Sequence, residues 1–251
     1  MTSQRDRTNA ISGFSDGSRY QAARPNYPKA AVQYMVEVLG VAGARRVVDV
    51  AAGTGLFTRE LVPFARELIA VEPSRGMRLE FTRQELGVEV LEGTAESLPF
   101  DDHTIDVITA AQAFHWFDFE KAPAEFARVL TRTGHLGLIW NERDESVEWV
   151  AALTHAMQWD VKRPFDATTD YAQLLVDAGF RDVARRDFRH TQLVDREKLN
   201  QRVLSTSYIA VMDAKSQQQI LDEVADVVRD FDNTFEIPYL TTTCCASAPS
   251  A

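Results

Sequence analysis

Val47-Val48-Asp49-Val50-Ala51-Ala52-Gly53-Thr54-Gly55 is the stretch whose reading decides the fold. The valine-rich start reads as a short buried strand. Small residues at 51, 53 and 55 then end the strand and open a helical stretch, Leu56 to Phe64. Such a turn lets a ligand approach the backbone and offers amide N–H groups at a helix N-terminus. The glycines alone leave two readings open, a ligand cradle or a plain tight turn. The dinucleotide fingerprint G-x-G-x-x-G is not met, because position 51 is Ala and position 56 is Leu, and there is no phosphate-loop motif G-x-x-x-x-G-K-[ST]. Asp49, inside the strand, would repel a pyrophosphate and suits a cation. Glu72, nineteen residues past Gly53, ends the next strand, where an acid is placed to accept hydrogen bonds from both hydroxyls of a ribose. An acidic turn with a ribose-binding acid describes a nucleoside that carries a positive group.

The same rhythm continues on both sides. Pro28 opens an amphipathic helix with Val32, Met35, Val36 and Leu39 on one stripe and Gly40 as its stop. Short apolar runs at 68–71, 88–91, 105–110 and 135–140 alternate with helical stretches at 74–86 and 120–130. Strands alternating with helices predict a parallel sheet covered on both faces. The expected fold is α/β: a Rossmann-like, seven-stranded, mostly parallel sheet flanked by helices, with a helical insertion after the fifth strand. Helices are expected over 146–159, 169–178 and 195–204 and around Ile220 to Phe231. Strands are expected at 188–194 and 238–246. No linker rich in Pro, Gly or Ser divides the chain. The reading is one domain over 1–251, with a cofactor core at about 14–142, a helical cap and substrate region at about 143–235, and the last strand at 236–246.

Composition narrows the function. The 251 residues are 45% hydrophobic and 25% charged, as in ordinary globular proteins. Lys plus Arg number 27 and Asp plus Glu number 37, a net charge of −10. So acidic a chain is a poor partner for bare phosphate backbone, and nucleic-acid binding is not expected. The chain has neither an eighteen-residue apolar run nor an apolar segment behind the polar N-terminus, so no membrane association is expected and the cytosol is the expected address. Cys244 and Cys245 are adjacent, a pairing that rarely bridges, and both are read as reduced. The histidines show no metal-ligand spacing, and no metal is expected.

These residues resemble the class I S-adenosylmethionine-dependent methyltransferases. Asp49-x-Ala51-x-Gly53-x-Gly55 looks like their first motif and Glu72 like their ribose acid. Gly93-Thr94-Ala95-Glu96-x-Leu98-Pro99-Phe100 looks like the segment that lines the adenine. Ile105-Asp106-Val107-Ile108 followed by Gln112-Ala113-Phe114-His115-Trp116-Phe117 is similar to their fourth strand and substrate-facing loop. Arg128-Val129-Leu130-x-x-x-Gly134-His135-Leu136 resembles the approach to their fifth strand. Phe14, Tyr20, Arg24-Pro25-x-Tyr27-Pro28 and Ile139-Trp140-Asn141-x-Arg143-Asp144 further resemble a small-molecule subgroup that includes trans-aconitate methyltransferase. Two departures are Ala51, where the family usually has Gly, and Thr94, where many relatives carry Asp.

The resemblance implies S-adenosyl-L-methionine as cofactor, held by Tyr20, Arg24, Asp49, Ala51, Gly53, Gly55, Glu72, Pro73, Thr94, Ala95, Glu96, Ala111 and Gln112. Arg24 matches the methionine carboxylate bidentately, and Tyr20 would sit near the sulfonium. His115 reads as a general base or orienting donor, or else as a core histidine. Trp116, Trp140 and Arg143 read as acceptor-binding residues; Arg143 suits an anionic acceptor or a surface ion pair with Asp144. The expected activity is methyl transfer by in-line displacement to an O, N or C nucleophile of a small molecule. The alternative is a non-methylating enzyme of the same fold, such as a cyclase. A nicotinamide-dependent oxidoreductase is disfavoured by Asp49 and the failed fingerprint. The sequence leaves the acceptor and the oligomeric state open.

Overall fold

A computed structural model of the chain describes residues 24–159 and 169–250. Seven strands form one sheet: β1 (Val47–Val50), β2 (Leu68–Val71), β3 (Glu89–Leu91), β4 (Ile105–Ala111), β5 (Leu130–Arg143), β6 (Arg181–Asp195) and β7 (Thr234–Ser247). Their order across the sheet is β3-β2-β1-β4-β5-β7-β6, and β3 through β5 are parallel. Ala248 donates its amide to Gly134 near one end of β5, and Asp144 donates to Pro238 just past the other, so β7 runs antiparallel to β5. Thr243 donates to the Arg186 carbonyl and Ser247 to Asp182, so β6 is antiparallel to β7. The expected seven-stranded, mostly parallel sheet is the observed one.

The helices are α1 (Lys29–Val38), α2 (Thr58–Leu61), α3 (Arg75–Arg83), α4 (Lys121–Val129), α5 (Glu148–Ala156), α6 (Tyr171–Asp177), α7 (Arg196–Leu204), α8 (Ser207–Ala210) and α9 (Ala214–Val227). Four local differences stand against the sequence reading. The helix expected over 56–64 keeps only α2, because the residues between Gly55 and Thr58 are turns. The fifth strand starts at Leu130 and takes in Arg143, which the reading put beyond the strand. The sixth strand begins at Arg181, seven residues earlier than Phe188. The short α8 was not anticipated.

The chain divides into two compact, interleaved units. The first comprises Asn26–Trp140, Ala167–Phe188 and Thr241–Ala251; the second comprises Met1–Pro25, Asn141–Asp166 and Arg189–Leu240. In the first unit, alternate strand residues enter separate apolar layers, as the period of two requires. Val48, Val50, Ile108 and Leu138 join Phe114 and Phe126 in one layer, while Val47, Val107 and Ile139 join α1 and Phe57 in the other. Met35, Leu39, Phe57 and Leu61 are each at most 2% exposed. Burial of such side chains stabilises by about 1.5–3 kcal/mol apiece. Cys244 and Cys245 enter opposite layers, so their thiols point apart, and both are free. The second unit has its own core, in which Leu153, Met157, Val203, Ile220, Val224 and Tyr239 pack together. No described helix is long and apolar enough to cross a membrane.

Candidate active site

Parallel register brings the predicted residues that follow β1, β2, β3 and β4 to one edge of the first unit. Val50 pairs with Val71, Val71 with Leu91, Asp49 with Thr109, and Ala111 with Ile139. The segments that leave these strand ends, at 51–55, 72–74, 92–98 and 112–116, therefore all emerge at the carboxyl edge. That edge is where open α/β sheets bind ligands.

Asp49 is fully buried beneath that edge. The Thr58 hydroxyl, at the start of α2, donates to Oδ2 at 2.6 Å, and the Thr109 hydroxyl, on β4, donates to Oδ1 at 2.8 Å. Burial pushes its pKa up to about 6, against the pull of the two hydroxyls. Asp49 is thus also the fastening that ties the strand end to the helix behind the turn. Above it Ala51, Gly53 and Gly55 all have positive φ. For Ala51 this costs roughly 1–2 kcal/mol, a strain the usual glycine would not carry. The two glycines differ in their reason. A Cβ on Gly55 would lie 2.9 Å from Leu86 and 3.0 Å from Phe81, so Gly55 serves packing. A Cβ on Gly53 would meet nothing within 4 Å, so only its φ and the open space beside it call for glycine.

Glu72 follows β2 and is 6% exposed. Its Oε2 accepts the Gly53 amide at 2.9 Å and its Oε1 accepts the Ser74 amide at 2.8 Å. Burial holds its pKa above the ordinary carboxylate range, against these two amides. A carboxylate has about four acceptor positions, so two remain for a pair of hydroxyls. Next to it, Pro73, Gly93, Thr94, Ser97 and Leu98 line a hollow of about 360 Å³. Thr94 and Ser97 exchange backbone hydrogen bonds across a bridge. Ala95 turns its methyl into the core, which leaves its backbone for contact. Glu96 accepts the Asp118 amide at 2.8 Å and so braces the loop after β4.

That loop leaves β4 at Ala111. Gln112 has a positive φ and donates its amide to Ile139 at 2.8 Å. His115 lies in a 3-10 turn, Phe114–Trp116; it is 7% exposed and its ring is 4.9 Å from that of Trp116. Trp140, on β5, is buried and stacks on Tyr171 of α6 at 4.9 Å and 13°. Among the described residues the indole N–H of Trp140 has no acceptor. Tyr171 also meets Phe114 edge-on at 5.7 Å. The sequence reading named neither Tyr171 nor Ser97 of the hollow, and it quoted Leu98 only as part of a motif. Leu98 stands in the quoted adenine-side motif, whereas nothing local marks Tyr171.

Two predicted residues lie in the second unit. Arg24 donates from Nη2 to the Ser205 carbonyl at 3.4 Å, and Arg143 donates from Nε to the Thr154 hydroxyl at 3.0 Å. Asp144 pairs with Arg189 rather than with Arg143. Tyr20 lies outside the described residues. Among the described residues no cluster of His, Cys, Asp and Glu is arranged to hold a metal.

The model of the family described as "Methyltransferase domain" matches residues 48–138, from β1 into β5. An uncharacterized methyltransferase of Mycobacterium tuberculosis is 35% identical over 247 residues, covering 96% of this chain and 97% of the relative. A solved structure from Anaeromyxobacter dehalogenans, described as a type II methyltransferase, superposes with TM-score 0.68 at 19% identity, covering 91% of this chain and 99% of that one. A geranyl diphosphate methyltransferase in complex with S-adenosylmethionine superposes with TM-score 0.50 at 14% identity, covering 88% and 85%. With a relative of this identity and coverage, and a sheet of this order, the chain belongs to the methyltransferase family, whose methyl donor is S-adenosylmethionine.

Proposed function

We propose that the chain methylates an O, N or C nucleophile of a small molecule in the cytosol by in-line displacement. When bound, the cofactor supplies a methyl group on a positively charged sulfur. The protein's own task is to hold and align, and positioning alone can lower a barrier by several kcal/mol. Glu72 accepts from the ribose hydroxyls with its remaining acceptor positions. Gly53 leaves the backbone bare beside it, with Ala51 and Gly55 shaping the same turn. Pro73, Thr94, Ala95 and Glu96 border the base, and Ala111 and Gln112 close the near side of the β4 loop. Asp49 supplies negative charge beneath the turn, and Tyr20 and Arg24 engage the amino-acid end. His115 takes the proton of a protonated nucleophile. Trp116, Trp140 and Arg143 receive the acceptor. A net charge of −10 supports a small acceptor over a nucleic acid.

The observation that carries this reading is the Glu72 carboxylate on the Gly53 amide, an acid held at the edge with acceptor capacity to spare. The test is incubation with methyl-labelled S-adenosylmethionine and a panel of small nucleophiles. Label should appear in a small product together with S-adenosylhomocysteine. Tight cofactor binding with no labelled product from any acceptor would overturn methyl transfer.

A further inference from the structure

Arg143 and Arg202 both belong to the second unit. Arg202, on α7, is 9% exposed, and among the described residues its Nε has no hydrogen-bond partner. Its Nη1 reaches the Thr206 hydroxyl only at 3.5 Å. Arg143, the last residue of β5, is partly buried, with its guanidinium 5.9 Å over the Trp159 ring. Beyond the Thr154 hydroxyl it meets no acceptor among the described residues. Burial pulls its pKa below the usual arginine value, and the next cause is the like charge of Arg202. Tyr239 packs in one core with Leu153 and Val203, the chain neighbours of Thr154 and Arg202; it is 1% exposed, and among the described residues its hydroxyl has no partner.

Buried charges are ordinarily paired, because an unpaired one forfeits its hydration without return. Even the partly exposed Arg46, Arg78 and Arg128 are paired, with Glu67, with Glu92, and with Glu125 and Asp102. Arg143 and Arg202 break that rule together. Among the described residues neither forms an ion pair, and each repels the other. The Trp159 ring beneath Arg143 lies 5.9 Å from the ring of Tyr208, which follows α7 and its Arg202, so the two guanidinium forks and the phenol share one region of the second unit with too few acceptors, the setting an oxyanion fits.

We propose that Arg143, Arg202 and the Tyr239 hydroxyl form an oxyanion site that takes a carboxylate or phosphate group of the methyl acceptor. The phrase "methyl acceptor" rests on the function proposed above; the oxyanion site itself does not. An oxyanion held by two guanidiniums has its lone pairs engaged by N–H donors and is a poor nucleophile. It anchors the acceptor, and the methylated atom lies elsewhere on the same molecule.

The probes are succinate and inorganic phosphate, titrated calorimetrically into the full-length protein, with S-adenosylhomocysteine as a second, separate ligand. Saturable binding of succinate, phosphate or both is expected. The preferred anion tells a carboxylate site from a phosphate site. Arg202→Met and Arg143→Met keep the apolar length of the side chain and should each weaken anion binding about tenfold or more. Both should bind S-adenosylhomocysteine as the parent does, which also reports that they fold. Arg202→Lys keeps the charge and should restore part of the anion affinity. No saturable binding of either anion to the parent, or unchanged binding in both methionine variants, would overturn the site. Cofactor-product binding without anion binding removes this inference and leaves the methyl-transfer reading. Anion binding without cofactor-product binding does the reverse.

Discussion

The Glu72 carboxylate accepts the backbone N–H of Gly53 at 2.9 Å, closing the end of β2 onto the turn that follows β1. The same side chain holds the Ser74 amide, where α3 begins. Glu72→Ala removes the acceptor for both amides and for the ribose hydroxyls proposed to bind there. Cofactor affinity should fall by about 1.5–3 kcal/mol, the worth of hydrogen bonds to a charged acceptor. Calorimetry with S-adenosylhomocysteine reads this directly. Parental affinity in a folded variant would place the ribose elsewhere.

The two turn glycines should separate in their effects. Gly55→Ala drives a methyl against Phe81 and Leu86 at a positive φ and should destabilise by about 1–3 kcal/mol in urea unfolding. Gly53→Val meets open space, so the chain should still fold at a backbone cost of roughly 1–2 kcal/mol. Its side chain fills the approach path, and cofactor binding should disappear. Equal loss of stability with retained binding in both variants would contradict this division.

Asp49 should give the protein a pH dependence with a definite sign. Its pKa in the fold is pushed up to about 6, while the unfolded chain releases that proton near 3.9. Between the two values the native state holds a proton that the unfolded state has lost. The contribution is therefore complete below about pH 4 and is lost as pH rises through 6, by roughly 3 kcal/mol at most. Asp49→Asn cannot ionise, so its stability relative to the parent should improve from pH 4 to pH 7. Urea midpoints across that range test it, and parallel curves would show that Asp49 titrates normally.

His115 is tested through rate rather than binding. As the base, His115→Ala should lower turnover about 10²–10⁴-fold and abolish the acid limb of the pH–rate profile. Cofactor affinity should stay near parental. A histidine that only braces Trp116 predicts a lower melting temperature with the acid limb intact.

The sheet was legible because strands buried on both faces read as unbroken valine and isoleucine runs, as at Val47–Val50. The turn and Glu72 could be singled out because small and acidic residue types stand there at a fixed spacing, and the structure joins the two by a hydrogen bond. What escaped is tertiary. Arg202 stands in Arg196–Leu204, a charged stretch that reads as a solvated helix face, yet it is buried. Tyr171 carries no local mark of its stacking on Trp140, which depends on where α6 returns to the sheet. The end of β5 was misplaced because its pairing with β7 is invisible until the chain comes back a hundred residues later.

Each unit is assembled from three separated stretches of chain, with crossings near residues 25, 140, 166, 188 and 240. A single genetic crossover cannot exchange either unit whole, and neither can be expressed as one contiguous fragment. One splice inside the stretch 189–240 would cut the second core and also separate Thr241–Ala251 from the rest of the first unit. New acceptor preferences therefore have to be reached by substitution within the interleaved segments, or by grafts that replace several of them together.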